Sequence, residues 1–200
     1  MLPRSLAALF VALIAPMAGA ADFSDPDWPC IQRKQPHLSL AQVWSGPVPD
    51  AAAEDLARSA AIQALAEVLE QRRLPVEDAE ARIAAFAEGR SPAEMTALFL
   101  ATFQRIEAVR TRVIAGIARY AHKQAALDDQ IDARRAELAV LMAAEVKDFD
   151  RIDAVEAQLD WDTRIFRDRQ QSLTHVCETP VILERRAFAL GRAVMTHMPK

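Results

Sequence analysis

From Ala93 to Thr179 the chain contains no proline and one glycine, Gly116. Proline and glycine are the strongest local interruptions of regular structure, so this stretch is free to be helix throughout. Its apolar residues recur with a seven-residue period. One seam position runs Phe99, Ile106, Val113, Tyr120, Leu127, Arg134, Leu141, Asp148, Val155, Asp162, Arg169, Val176. The other runs Phe103, Arg110, Ile117, Gln124, Ile131, Leu138, Glu145, Ile152, Leu159, Phe166, Leu173. The register does not slip between 99 and 176, which calls for left-handed coiled-coil geometry. Left uninterrupted, those residues form a rod of about 117 Å.

Two features argue against a simple rod. Glu145 and Asp148 fall consecutively on the seam, inside the polar run Glu145-Val146-Lys147-Asp148-Phe149-Asp150. A helical hairpin turns there, with Asp148 or Asp150 capping the second arm. The apolar stripe also spills beyond the seam at Val109, Ile114, Met142, Phe149 and Ile165. A two-stranded coil needs only the narrow seam, whereas a multi-helix bundle needs the wider face. The expected fold is therefore all-α: an elongated helical bundle built on a long helical hairpin or coiled coil. The hairpin is expected to break near 144 to 149, with shorter helices alongside. A continuous helix in a dimer is the competing arrangement.

The other helices are marked by their ends. Asp50 is a good N-cap, and residues 51 to 73 place Leu56, Ile62, Leu65 and Leu69 near one face before Leu74-Pro75 stops them. A second helix covers about 77 to 88 and ends at Gly89. Ser91-Pro92-Ala93-Glu94 combines a capping box with proline at the first helical position, and opens a helix over 92 to 144. A further helix spans 149 to 177. Thr179-Pro180 reads as another cap, beginning a last helix over 180 to 197.

The first twenty residues have the parts of a secretory signal: Arg4, an apolar run from Leu6 to Ala15 and the small-x-small site Ala18-Gly19-Ala20. The apolar run is about 10 residues, against the roughly 20 that span a bilayer. The expectation is cleavage at Ala20-Ala21 and a periplasmic or secreted protein with no integral membrane span. Cleavage removes Arg4 alone among the charged residues. That leaves 23 basic side chains, one fewer than the 24 of the whole chain, against 28 acidic, a net charge of −5. Such a balance gives no electrostatic reason to expect nucleic acid as a partner.

Residues 21 to 50 form an irregular arm containing Trp28, Cys30, Trp44 and several prolines, and residues 51 to 198 form a single helical domain. Cys30 and Cys177 are the only cysteines. In an oxidising compartment such a pair is most simply a disulfide, which here ties the arm to the far end of the coil.

Catalytic motifs are not found. There is no GxSxG, HExxH, Walker loop or GxGxxG, and five glycines leave little material for a phosphate-cradling loop. His175 and Cys177, two residues apart on a helix, point in different directions. Neither a Glu-x-x-His pair nor a cofactor motif occurs, so no enzyme and no cofactor are expected. Met195, His197 and Met198 are a weak soft-ligand set for copper. Trp28 and Trp44 in the arm, with Arg185, Arg186 and Arg192 on the last helix, are the candidate partner-binding surface. Leu38-Ser39-Leu40-Ala41-Gln42 is similar to the L-T-x-x-Q element of small helical periplasmic stress proteins. The likeness covers five residues, has Ser for Thr, occurs once, and falls in the arm away from a convincing helix start. The expected function is an exported, non-enzymatic interaction or scaffold protein of the bacterial envelope, with a protein partner or self-association. The alternative is a periplasmic ligand-responsive binder, chaperone-like or metal-sensing.

Overall fold

The computed structural model describes residues 25–199, so the expected signal segment at 1 to 20 lies outside the described residues. Six helices and no strand occur among them: α1 (Leu40–Val43), α2 (Ala51–Ala57), α3 (Ala60–Leu69), α4 (Val76–Ala87), α5 (Pro92–Ala143) and α6 (Phe149–Thr196). The all-α fold built on a long hairpin is as the heptad pattern requires. At 52 residues α5 is about 78 Å long, and α6, at 48, about 72 Å.

Local chemistry sets the hairpin's ends. The Ser91 hydroxyl accepts from the Glu94 backbone N–H at 3.2 Å, and the Glu94 carboxylate accepts from the Ser91 N–H at 2.8 Å. This closes a capping box ahead of Pro92, satisfying two N–H groups that a helix start otherwise leaves bare. Gly116 passes inside α5 without a break. After Ala143 the chain turns, and Asp148 caps α6 by accepting from the Arg151 N–H at 3.0 Å. Cross-links between the arms show them to be antiparallel. Tyr120 Oη donates to the Arg169 carbonyl at 2.7 Å, Gln124 Nε2 to the Phe166 carbonyl at 3.1 Å, and Arg151 reaches Glu137 near the turn. A continuous helix is thereby excluded in favour of the hairpin.

Two sequence expectations are corrected. Thr179-Pro180 does not begin a new helix, because α6 runs straight through it. Proline at 180 deletes one backbone bond to the Val176 carbonyl, a local cost of a few kcal/mol at most. Against it stands burial along the same heptad register, which continues past 176 through Leu183 and Leu190 on one seam and Pro180, Ala187 and Val194 on the other. Tertiary burial outweighs the local breaker. The expected helix over 51 to 73 is also two helices. Its buried positions are Ala53, Ala57, Ile62, Ala66 and Leu69. The five-residue step from 57 to 62 rotates the second set by about 140° from the first on a straight helix. Arg58 and Ser59 absorb that rotation. Ser59 is extended (φ −64°, ψ 144°), and Gln63 Nε2 donates to the Ala57 carbonyl at 2.7 Å.

The arm is less irregular than expected, since it includes α1. Gln42 Oε1 accepts from the Ser39 N–H at 2.8 Å, so the Leu38–Gln42 element is in fact a helix start. The main core sits at one end of the hairpin. There α2 and α3 lie on α5, while α1 and α4 lie on α6. Phe99, Met95, Leu98, Ile106, Leu183, Leu190 and Val194 fill the space between them. Beyond His122, which bonds to Asp27 of the arm at 2.7 Å, the two long helices have only each other. Met142 and Phe149, expected to broaden the buried stripe, are exposed there because no third helix reaches them.

Candidate interaction surfaces

The arm is fastened by a clasp at the waist of the hairpin. Cys30 and Cys177 are joined, with Cα atoms 5.6 Å apart across 147 positions of sequence. Trp28 and both cysteines pack with Ile117, a seam residue of α5, in a small second core. The Trp28 indole N–H donates to the Gln32 carbonyl at 2.6 Å. Below this, Arg110 occupies a seam position yet is only 2% exposed. Its guanidinium donates to the Gln35 and Pro36 carbonyls and lies 3.5 Å from Glu107, whose other carboxylate oxygen accepts from the Leu38 N–H at 3.1 Å. A charge on the seam thus serves as the anchor for an extended strand of arm.

The predicted surface residues divide. Trp28 and Trp44 are buried, and this corrects their reading as a partner-binding surface. Trp44 stacks on Phe99 with ring centroids 4.5 Å apart and donates its N–H to the Pro47 carbonyl at 2.7 Å. They close the apolar seam of the hairpin instead. Arg186 is also buried, at 6% exposure. Its Nε donates at 2.8 Å to the Leu69 carbonyl, freed where α3 ends, and its Nη1 at 2.8 Å to the Leu74 carbonyl in the α3–α4 connection. Burial lowers the pKa of this guanidinium. Arg185 and Arg192 remain exposed. The Arg192 guanidinium lies 5.0 Å from the centre of the Phe188 ring, and both line a groove with Trp44 and α1. Met195 and Met198 pack against the main core, and His197 lies 3.4 Å from Glu80. The structure thus packs the two methionines on the core and sets His197 beside a carboxylate. Among the described residues no three His, Cys, Asp or Glu side chains gather as metal ligands.

Two surfaces stand out from the solvated remainder. The first is the hairpin tip, where Val140, Met142, Val146 and Phe149 are exposed within ten residues, Val146 at 89% and Phe149 at 69%. A turn that only reverses the chain is normally polar, with Gly, Asn or Asp in it. The second is a groove between the α3–α4 connection and α6, lined by Arg72, Arg185 and Arg186 over Leu74, Pro75, Val76 and Ile182. Sequence reasoning missed both. Met142 and Phe149 were visible as apolar excess, but nothing local told that the bundle ends short of them. Arg72 and Leu74 meet Arg185 only through the chain's long-range fold.

Fold and surfaces together define an all-α helical-hairpin protein with a packed base and a bare apolar tip. No protein-family profile matches the chain, and neither a curated protein nor a solved structure matches it at a significant level. Among the described residues no helix is long and apolar enough to cross a membrane.

Proposed function

We propose that this is an exported, non-enzymatic interaction protein of the bacterial envelope that holds out its hairpin tip to a protein partner. The observation that carries the reading is the placement of Val140, Met142, Val146 and Phe149 at the point farthest from the core. The exposed parts of these apolar side chains add nothing to the core, and leaving them in water is unfavourable by roughly 25 cal/mol per Å². The signal-like first twenty residues and the disulfide support an oxidising, extracytoplasmic address.

Two measurements test it. N-terminal sequencing of chain recovered from fractionated cells should find Ala21 as the first residue; retention of Arg4 in a cytoplasmic fraction refutes the address. A photo-crosslinking side chain at Phe149 should give discrete protein adducts in living cells, while the same group at exposed Glu156 on the α6 shaft should not. Equal, diffuse labelling at both sites removes the tip from consideration. If the tip instead serves a chaperone-like binder, the purified chain suppresses aggregation of an unfolding client without forming a discrete adduct.

A further inference from the structure

The partner of the tip follows from the second surface. We propose that the hairpin tip of one copy docks in the arginine-lined groove at the base of another copy. This rests on the interaction reading above and names its partner. The groove holds about 390 Å³, within the range of pockets that take up a few side chains. Of its three arginines, Arg186 is buried, and its Nη2 has no hydrogen-bond partner. Among the described residues none of Arg72, Arg185 and Arg186 lies in an ion pair. A guanidinium withdrawn from water with no anion beside it is costly, and an incoming carboxylate relieves that cost. Beneath the arginines lies an apolar floor, with Ile182 exposed upon it.

The tip offers the complement. Between 145 and 153 it carries Glu145, Asp148, Asp150 and Asp153 against Lys147 and Arg151, a net charge of −2. Arg151 is already engaged by Glu137, whereas Glu145 and Asp150 have no ion pair among the described residues. Val146 and Phe149 stand between those carboxylates. Carboxylates flanking exposed apolar side chains thus face arginines flanking an apolar floor. The two surfaces cannot meet within one molecule. Along α6 from Phe149 to Ile182 the separation is about 50 Å of stiff helix. The contact is therefore between copies, closing as a two-fold dimer where each tip meets the other's groove, or building a chain or ring where it runs one way.

The test is complementation between two variants of the full chain. Val146→Ser with Phe149→Ser spoils the tip, and Arg72→Glu with Arg185→Glu spoils the groove. All four positions are exposed, and circular dichroism checks that each variant folds. By sedimentation, the native chain should gain mass with concentration, less so at high salt. Each variant alone should stay monomeric. Mixed in equal amounts, they should form a one-to-one complex and stop, because one intact tip meets one intact groove. A native chain that stays monomeric at every concentration overturns the proposal. So does a dimer that neither variant weakens, or a mixture that remains two monomers. A monomeric native chain whose Phe149 crosslinks to a different protein in cells also refutes self-docking, while leaving the interaction reading intact.

Discussion

Replacing both Cys30 and Cys177 with serine removes a bond that closes a 147-position loop, nearly the whole described chain. In the chain-entropy account, a loop of that size withholds about 5 kcal/mol from the unfolded state. For a domain of this size each kcal/mol moves Tm by about 2 to 4 °C, so the variant should melt about 10 to 20 °C lower. The folded structure should survive. The arm remains held by Trp28 against Ile117, by Arg110 on the Gln35 and Pro36 carbonyls, and by the Trp44 stack on Phe99. Far-ultraviolet circular dichroism should thus be unchanged at low temperature. In urea the slope of the unfolding free energy should rise, because an unlinked unfolded chain exposes more surface. The paired control is the native chain melted with and without a reductant, while the variant should ignore it. Coincident melts of oxidised, reduced and variant chains refute the reasoning and with it the clasp.

A Cβ added at Gly191 falls 2.5 Å from the Val43 carbonyl oxygen and 3.1 Å from the Phe99 ring, so α1 and α6 cannot stay as close. Gly191→Ala should cost roughly 1 to 3 kcal/mol in urea titration. On the distal seam Arg134 Nε donates to Asp162 at 2.7 Å, and Gln158 bonds the other carboxylate oxygen. Asp162→Ala removes the buried acceptor from two donors that can still reach water and should cost about 1 kcal/mol, whereas Arg134→Leu with Asp162→Leu should keep stability within about 1 kcal/mol of the native chain. Ser91→Ala should cost about 1 kcal/mol through the lost cap. The Ser91 N–H, then Arg90, hold the Glu94 carboxyl below its ordinary pKa. A depressed carboxylate stabilises the fold above its unfolded value and loses that contribution as pH falls through its folded value. Glu94→Gln should therefore flatten the acid limb of the stability curve, as read from melts across the acid range.

What the sequence discloses is mostly what repeats or caps. The hairpin is legible because the seven-residue period needs no knowledge of the partner helix, and its turn because Glu145 and Asp148 interrupt the seam together. The disulfide is legible because two cysteines admit one pairing. The break at Ser59 follows from the step between Ala57 and Ile62, but that step is clear only once Ala53 and Ala57 are known to be buried. Pro180 misleads, as a local rule meets a register that runs on to Val194. The arginines are the least legible. Arg110 and Arg186 serve backbone carbonyls at Gln35, Pro36, Leu69 and Leu74, and carbonyls are present at every residue, so no residue type marks the pairing. The two tryptophans lie in a stretch without helix pattern, and without the fold an anchor cannot be told from a contact surface.

The polar residues of the shaft do what apolar ones there cannot. A seam of apolar side chains alone is nearly as content one heptad out of register, since Leu meets Ile in either alignment. Such a slip moves one arm by about 10 Å against the other. In this hairpin it would break Arg134 from Asp162 and Arg151 from Glu137, side-chain pairs that a one-heptad step does not re-form. It would also pull Cys177 away from Cys30. Each of these ion pairs yields less than the apolar burial it displaces, yet each is satisfied in one alignment only. The disulfide fixes the base of the shaft and the polar contacts carry that register outward, so the exposed tip is held at a fixed distance and rotation from the core.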